Sequence, residues 1–153
     1  MNATVTDRIE KQVVLHAPRG RVWRALTDAT EFGKWFGVTL RGPFSEGARV
    51  SGQMTHPKYQ HLTLEVFIER IEPESYFSYR WHPYAVDPNT DYSNEPTTLV
   101  EFRLEDTADG TVLNIVESGF DRIPLLRRAE AFRMNEGGWT SQARNIERYV
   151  SDS

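Results

Sequence analysis

The stretch Trp139-Thr140-Ser141-Gln142-Ala143-Arg144-Asn145-Ile146-Glu147-Arg148-Tyr149-Val150, near the end of a chain of 153 residues, decides how the rest is read. Trp139, Ala143, Ile146 and Val150 recur at i, i+4, i+7 and i+11, which places them in one stripe on a helix about 20 Å long. Gln142, Arg144, Glu147 and Arg148 fall on the other side. A helix with one apolar stripe needs something to cover, and the preceding sequence supplies it. Immediately before the stripe, Gly137-Gly138 predicts a bend or break. Before that, Leu125, Ala129 and Phe132 follow helical spacing, with Asp121 as a cap and Pro124 in the first turn.

Further back the period is two. Val50, Gly52 and Met54 alternate with Ser51, Gln53 and Thr55. Leu62, Leu64, Val66 and Ile68 alternate with Thr63, Glu65, Phe67 and Glu69. Phe77, Tyr79 and Trp81 oppose Ser78, Arg80 and His82, and Val100, Phe102 and Leu104 oppose Glu101, Arg103 and Glu105. These are strand patterns. Val38 to Phe44 and Thr111 to Ser118 add two more strands, and Ala108-Asp109-Gly110 is a hairpin turn of the Asp-Gly kind. At the front, Arg8 to His16 alternates until Ala17-Pro18 ends it. Val22, Trp23 and Leu26 then recur at helical spacing, and Thr30 caps a second short helix that runs through Trp35-Phe36 to Gly37.

The order is one strand, two short helices, about six strands and a long helix. Short turns make the strands antiparallel neighbours. The class is α+β: a curved antiparallel sheet of about seven strands, one face covered by the final helix. A twisted sheet need not close fully on a single helix, and the gap left over is where a cavity is expected.

The length suits one domain, residues 1–153, with no linker or internal repeat. The absence of cysteine excludes disulfides, thiolate metal sites and a cysteine nucleophile. A net charge of −4 argues against nucleic acid as a partner. The best basic cluster, Arg122, Arg127, Arg128 and Arg133, is interrupted by Asp121, Glu130 and Glu136 and reads as a solvated helix face. No apolar run approaches the roughly 18 residues of a membrane span. The polar start from Met1 to Lys11 is unlike a secretory signal, so a cytoplasmic location is expected.

Three motifs carry a family resemblance. The first is Ala17-Pro18 with Val22-Trp23, Leu26-Thr27-Asp28 and Trp35-Phe36. The second is Gly47 in the turn after Phe44. The third is Glu136-Gly137-Gly138-Trp139 with Ile146 and Tyr149-Val150. Together, over about Arg8 to Val150, they resemble the START/SRPBCC superfamily, with its helix-grip fold, and within it the heat-shock-protein-90 ATPase activator homologue family. The resemblance implies a cavity between sheet and final helix that takes lipid-like, polyketide-like or other aromatic small molecules. Many relatives of this kind bind without catalysis, and some are cyclases, dehydratases or hydrolases. The eukaryotic activators carry an additional N-terminal chaperone-binding domain, and this chain begins directly with the first strand, so a chaperone interaction rests on the family name alone.

Eight Phe, six Tyr and four Trp supply material for a core or a pocket wall. Alternation points Met54, Tyr79, Trp81 and Phe102 inward. Trp35, Phe132 and Trp139 approach from the helices. These seven, with His56, are the expected ligand-binding residues. His56 shares the parity of Met54 and is the candidate acid or base if any reaction occurs, since an imidazole titrates near neutrality. His56, His61 and His82 lack metal-ligand spacing, so no metal is expected. Asp87 to Asp91 begins like a calcium loop, but Tyr92 and Thr98 stand where Gly and Glu are required. Nothing calls for a cofactor. Residues 83–96 lack periodicity and form either a lid or a plain tip, with Tyr84 and Tyr92 placed to fold over a pocket entrance. The leading reading is a binder of a small apolar or aromatic molecule. A cyclase or dehydratase working in the same cavity, and a protein-interaction module, are the alternatives.

Overall fold

Gly33 and Gly37 set how the two short helices meet the sheet. A Cβ on Gly33 would lie 2.2 Å from the carbonyl oxygen of Val38, so only glycine lets helix and strand approach this closely. Gly37 has φ of 95°, a left-handed conformation that ends the helix and turns the chain into the next strand.

A computed structural model of the chain describes residues 7–87 and 89–151. The elements run β1 (Arg8–Leu15), α1 (Arg19–Thr27), α2 (Ala29–Phe36), β2 (Val38–Arg41), β3 (Arg49–Met54), β4 (Thr63–Glu72), β5 (Tyr76–Trp81), β6 (Thr98–Thr107), β7 (Gly110–Ser118) and α3 (Leu125–Ser151). Single 3-10 turns form at Pro57–Tyr59 and Phe120–Arg122. The seven strands make one curved antiparallel sheet in the order β1-β7-β6-β5-β4-β3-β2. All strand neighbours in sequence are neighbours in space except β1 and β2, which are the two edges. The pair α1 and α2 carries the chain across from one edge to the other. The fold is thus the expected α+β helix-grip arrangement, with α3 packed against β1 and the two short helices.

The core lies between the sheet and the helices. Phe77, Tyr79, Trp81, Val100, Phe102 and Leu104 face inward from β5 and β6 and are buried, as alternation requires. Phe32 and Trp35 meet them from α2, and the Trp35 indole N–H donates to the Ala25 carbonyl at 2.9 Å, tying α2 to α1. Glu31 joins three helices. It accepts from Arg21 at 2.7 Å and Arg24 at 2.8 Å on α1, and from the Tyr149 hydroxyl at 3.1 Å on α3.

Four sequence expectations change here. Asp28, not Thr30, caps α2: its side chain accepts from the Glu31 N–H at 3.0 Å. α2 already begins at Ala29, and a cap must sit just before the first helical residue. Helix α3 runs through Gly137-Gly138 without a break. Two glycines weaken a helix by about 1 kcal/mol each, and the burial of Ala131, Trp139, Ile146 and Val150 along one stripe outweighs that. The same stripe leaves Leu125 76% exposed and Ala129 exposed, so the front of α3 is rotated from its expected face. Asp121 lies in a separate 3-10 turn, and the Pro124 carbonyl accepts from the Arg127 and Arg128 N–H groups to open α3.

Candidate functional site

At one end of the fold the helices and sheet do not meet, and a cleft of about 660 Å³ remains. Its walls come from the end of β3, the turn and strand that follow, the end of β5, the connection between β5 and β6, and the middle of α3. Met54, Trp81, Tyr84, Tyr92, Asn135 and Trp139 are among the residues that line it.

Trp81 and Trp139 form the back wall. Their rings stack with centroids 5.7 Å apart and an interplanar angle of 29°. Both indole N–H groups point away to one carboxylate. Trp81 donates to one Glu117 oxygen at 2.7 Å and Trp139 to the other at 2.8 Å. The Thr98 hydroxyl adds a bond of 2.5 Å, and the Asn135 amide nitrogen reaches both oxygens at 3.0 and 3.1 Å. Glu117 is fully buried. Burial pushes its carboxyl above the usual carboxylate range, while the bonds from Thr98, Trp81, Trp139 and Asn135 pull the other way. The result is a polar anchor behind the aromatic wall, linking β5, β6, β7 and α3.

Glu117 went unread in the sequence, although its signal was there. Thr111, Leu113, Ile115 and Glu117 share one parity on β7, and all four are buried. A charged residue on the inward face of a strand requires several donors. Asn135 was missed for the same reason: it sits four residues before Trp139, on the buried stripe of α3.

The described residues of the connection from His82 to Thr97 lie against the cleft instead of projecting from the fold. Arg127, expected on a solvated face, holds it. Its guanidinium donates to the Tyr84 carbonyl at 3.0 Å, the Pro83 carbonyl at 3.1 Å and the Glu95 carboxylate at 2.8 Å. It also lies over the Tyr92 ring, 4.8 Å from the centroid. Arg128 likewise bonds to the Ile123 and Asp121 carbonyls, at 3.2 and 2.8 Å. Tyr84 has φ of 50°, a conformation that a bulky residue adopts only under constraint; its carbonyl accepts from Arg127 and its side chain packs partly buried against the core.

The eight expected site residues separate into two groups. Met54, Trp81 and Trp139 line the cleft. Trp35, Tyr79 and Phe102 lie deeper, in the packed core, and Phe132 packs edge-on to Phe120 at 5.2 Å. Burial pushes the Tyr79 hydroxyl well above its ordinary range, with the Glu117 charge adding to the effect. His56 is exposed and apart from the cleft lining; its Nδ1 accepts from the Lys58 N–H at 3.0 Å and caps the 3-10 turn. Strand β3 ends at Met54, so the alternation that placed His56 inward no longer applies. His82 does border the cleft, with Nε2 3.1 Å from the Glu95 carbonyl. Among the described residues no group of three His, Asp or Glu side chains gathers to hold a metal.

The sequence pattern of the family described as Activator of Hsp90 ATPase homolog 1-like protein matches residues 16–151. The chain belongs to that family. No curated protein matches the sequence. Solved structures share the fold of this Aha1-like chain. Protein MLL2253 from Mesorhizobium loti is 21% identical, with a TM-score of 0.75 over 95% of this chain and 98% of its own. The Aha1 dimer from Colwellia psychrerythraea is 13% identical, with a TM-score of 0.71 over 94% of this chain and 95% of its own. DynU16, from the dynemicin biosynthetic locus, is 23% identical, with a TM-score of 0.70 over 95% of this chain but 47% of its own. At these identities the likeness establishes the Aha1-like fold. No helix among the described residues is long and apolar enough to cross a membrane.

Proposed function

We propose that this chain is a cytoplasmic, single-domain binding protein for a small lipid-like or aromatic, polyketide-like molecule, seated in the cleft between the ends of β3 to β5 and the middle of α3. The observation that carries this reading is the stacked pair Trp81 and Trp139 on a shared carboxylate. Glu117 takes both indole N–H groups, so the rings keep their polar edges satisfied inside the protein. That arrangement holds the rings in place without a ligand, and rigid aromatic surface costs little entropy when a ligand settles on it. The cleft volume of about 660 Å³ falls within the range of small-molecule sites, roughly 300–1,000 Å³.

The test is a thermal-shift and NMR screen of fatty acids and planar aromatic compounds against the whole chain. A ligand raises Tm by mass action and moves the indole N–H resonances of Trp81 and Trp139. If no compound does either, the reading fails. Conversion of a bound compound to product, instead of its unchanged release, transfers the reading to a cyclase or dehydratase in the same cleft.

A further inference from the structure

Charge and hydrogen-bond direction around the cleft are one-sided. No Lys or Arg is among the described residues that line it, while Glu65, Asp87 and Asp91 are. Glu65 has a loose ion pair with Arg49 at 3.7 Å. Asp87 accepts from the Thr90 hydroxyl and the Asn89 N–H, and Asp91 from the Ser93 N–H. These bonds hold both carboxyls below the usual carboxylate range, so both are ionised at neutral pH. The nearest cations are committed or peripheral. Arg127 is paired with Glu95, and Lys58 lies 5.8 Å from the Tyr59 ring on the exposed turn.

The floor of the cleft adds an acceptor. The Asn135 amide nitrogen donates to both Glu117 oxygens, which sets the orientation of the amide. The Asn135 oxygen is thereby turned away from Glu117, on a residue that lines the cleft, and no hydrogen bond reaches it among the described residues. His82 Nε2 is committed to the Glu95 carbonyl, 3.1 Å away, and so offers the cleft no donor from that nitrogen. Gln142 is engaged on both sides, its nitrogen donating to the Phe36 carbonyl and its oxygen accepting from Asn145. Hydroxyls around the rim turn either way and do not discriminate.

We propose that the cleft selects a planar aromatic ligand bearing hydroxyl or amino donors, held at Asn135 Oδ1, and turns away carboxylate-headed lipids. The inference rests on the binding reading above and narrows it to one ligand class. A donor placed on the floor satisfies an acceptor that the apolar body of the ligand would otherwise seal from water, whereas an anion meets two ionised aspartates at the rim without a cation to offset them.

Four probes with one ring system test it: hydroxypyrene, aminopyrene, methoxypyrene and pyrene carboxylate, titrated by fluorescence at low salt. The hydroxyl and amino probes are expected to bind about tenfold tighter than methoxypyrene, the effect of one net hydrogen bond, and the carboxylate weakest of all. Asn135→Leu should bring the hydroxyl-to-methoxy ratio close to one. Asp87→Asn combined with Asp91→Asn should tighten the carboxylate several-fold. A carboxylate that binds as well as hydroxypyrene, or a ratio that survives Asn135→Leu, overturns the proposal. Should Asn135→Leu not fold, the ranking on the unmodified chain decides alone. If all four bind alike, the binding reading stands and this inference falls; if none binds, both fall.

Discussion

Trp81 and Trp139, one on β5 and one on α3, stack on each other and donate their indole N–H groups to opposite oxygens of a single buried carboxylate, at 2.7 and 2.8 Å. The contact joins sheet to helix where the fold leaves its cleft, so it acts on both stability and shape. Trp139 is 2% exposed. Trp139→Ala is expected to cost about 3–5 kcal/mol in urea denaturation, the range for removing a fully buried aromatic ring. A loss under about 1 kcal/mol would mean that the ring packs far more loosely than its burial indicates.

Glu117 itself has a distinct pH signature. Burial raises its folded-state pKa above the unfolded value, so the folded protein holds the proton to higher pH. The contribution of Glu117 is therefore most favourable below the ordinary glutamate value of about 4.3. It declines as pH rises through the folded pKa, and the cost of burying the charge is fully present above that. Glu117→Gln lacks this dependence. Its amide nitrogen also faces one indole N–H, a mismatch of about 1–3 kcal/mol. Denaturation across a pH series should show the variant trailing the native chain most in acid, with the gap narrowing as pH rises. A gap that widens with pH would contradict the assignment.

Glu31 behaves in the opposite sense. Burial works to raise its pKa, but the bonds from Arg21, Tyr149 and Arg24 prevail and hold it below the usual range. Its stabilisation is present above the unfolded value and is lost as pH falls through the folded one. The side chain is 19% exposed, so screening by solvent is limited. Glu31→Gln should lower stability by about 1–3 kcal/mol at neutral pH, with little difference from the native chain in strong acid. Equal stability at neutral pH would show that the three-helix junction contributes nothing net.

The contrast between these two glutamates and His56 shows what the sequence could convey. Period-two alternation is a statement about a strand, and it held for Val66, Trp81 and Phe102 because each of them lies within β4, β5 or β6. It failed at His56 because β3 stops two residues earlier, where no turn signal is written beyond Pro57. Helix and sheet order, the terminal stripe and the inward aromatics were legible because each follows from local spacing. The Glu117 cluster was not, since its donors come from positions 81, 98, 135 and 139 and meet only when the sheet is assembled. Arg127 was misread for a related reason. Its neighbours in sequence are charged, but the groups it binds are some forty residues earlier, in a connection whose placement no local pattern encodes.

That connection should loosen when its holder is removed. Arg127→Ala deletes the bonds to the Pro83 and Tyr84 carbonyls, the Glu95 pair and the stacking on Tyr92. Hydrogen exchange is expected to speed up in residues 83–95, including the Thr90 and Glu95 amides that donate within it, while the β6 and β7 amides keep their protection. Arg127→Lys retains the charge but not the fork that reaches two carbonyls and a carboxylate at once, and should resemble the alanine variant. Unchanged exchange in both would show that the segment is held by its own contacts.

The glycine pair in α3 separates what the helix needs from what the cleft needs. A Cβ added to Gly137 or Gly138 meets no atom within 4 Å, so neither position is closed to a side chain by its neighbours. Both lie inside a continuous helix, where alanine is better than glycine by about 0.8–1 kcal/mol. Gly137→Ala and Gly138→Ala should each raise stability by about that amount in urea denaturation, without a change in m value. The two positions part when the side chain is large. Gly138 borders the cleft and Gly137 does not. Gly138→Phe should therefore keep the fold and abolish binding of the pyrene probes, because the ring occupies the space a ligand would take, whereas Gly137→Phe should fold and bind as the native chain does. Equal binding by the two phenylalanine variants would move the ligand out of this cleft, since one of them fills its floor and the other points to solvent.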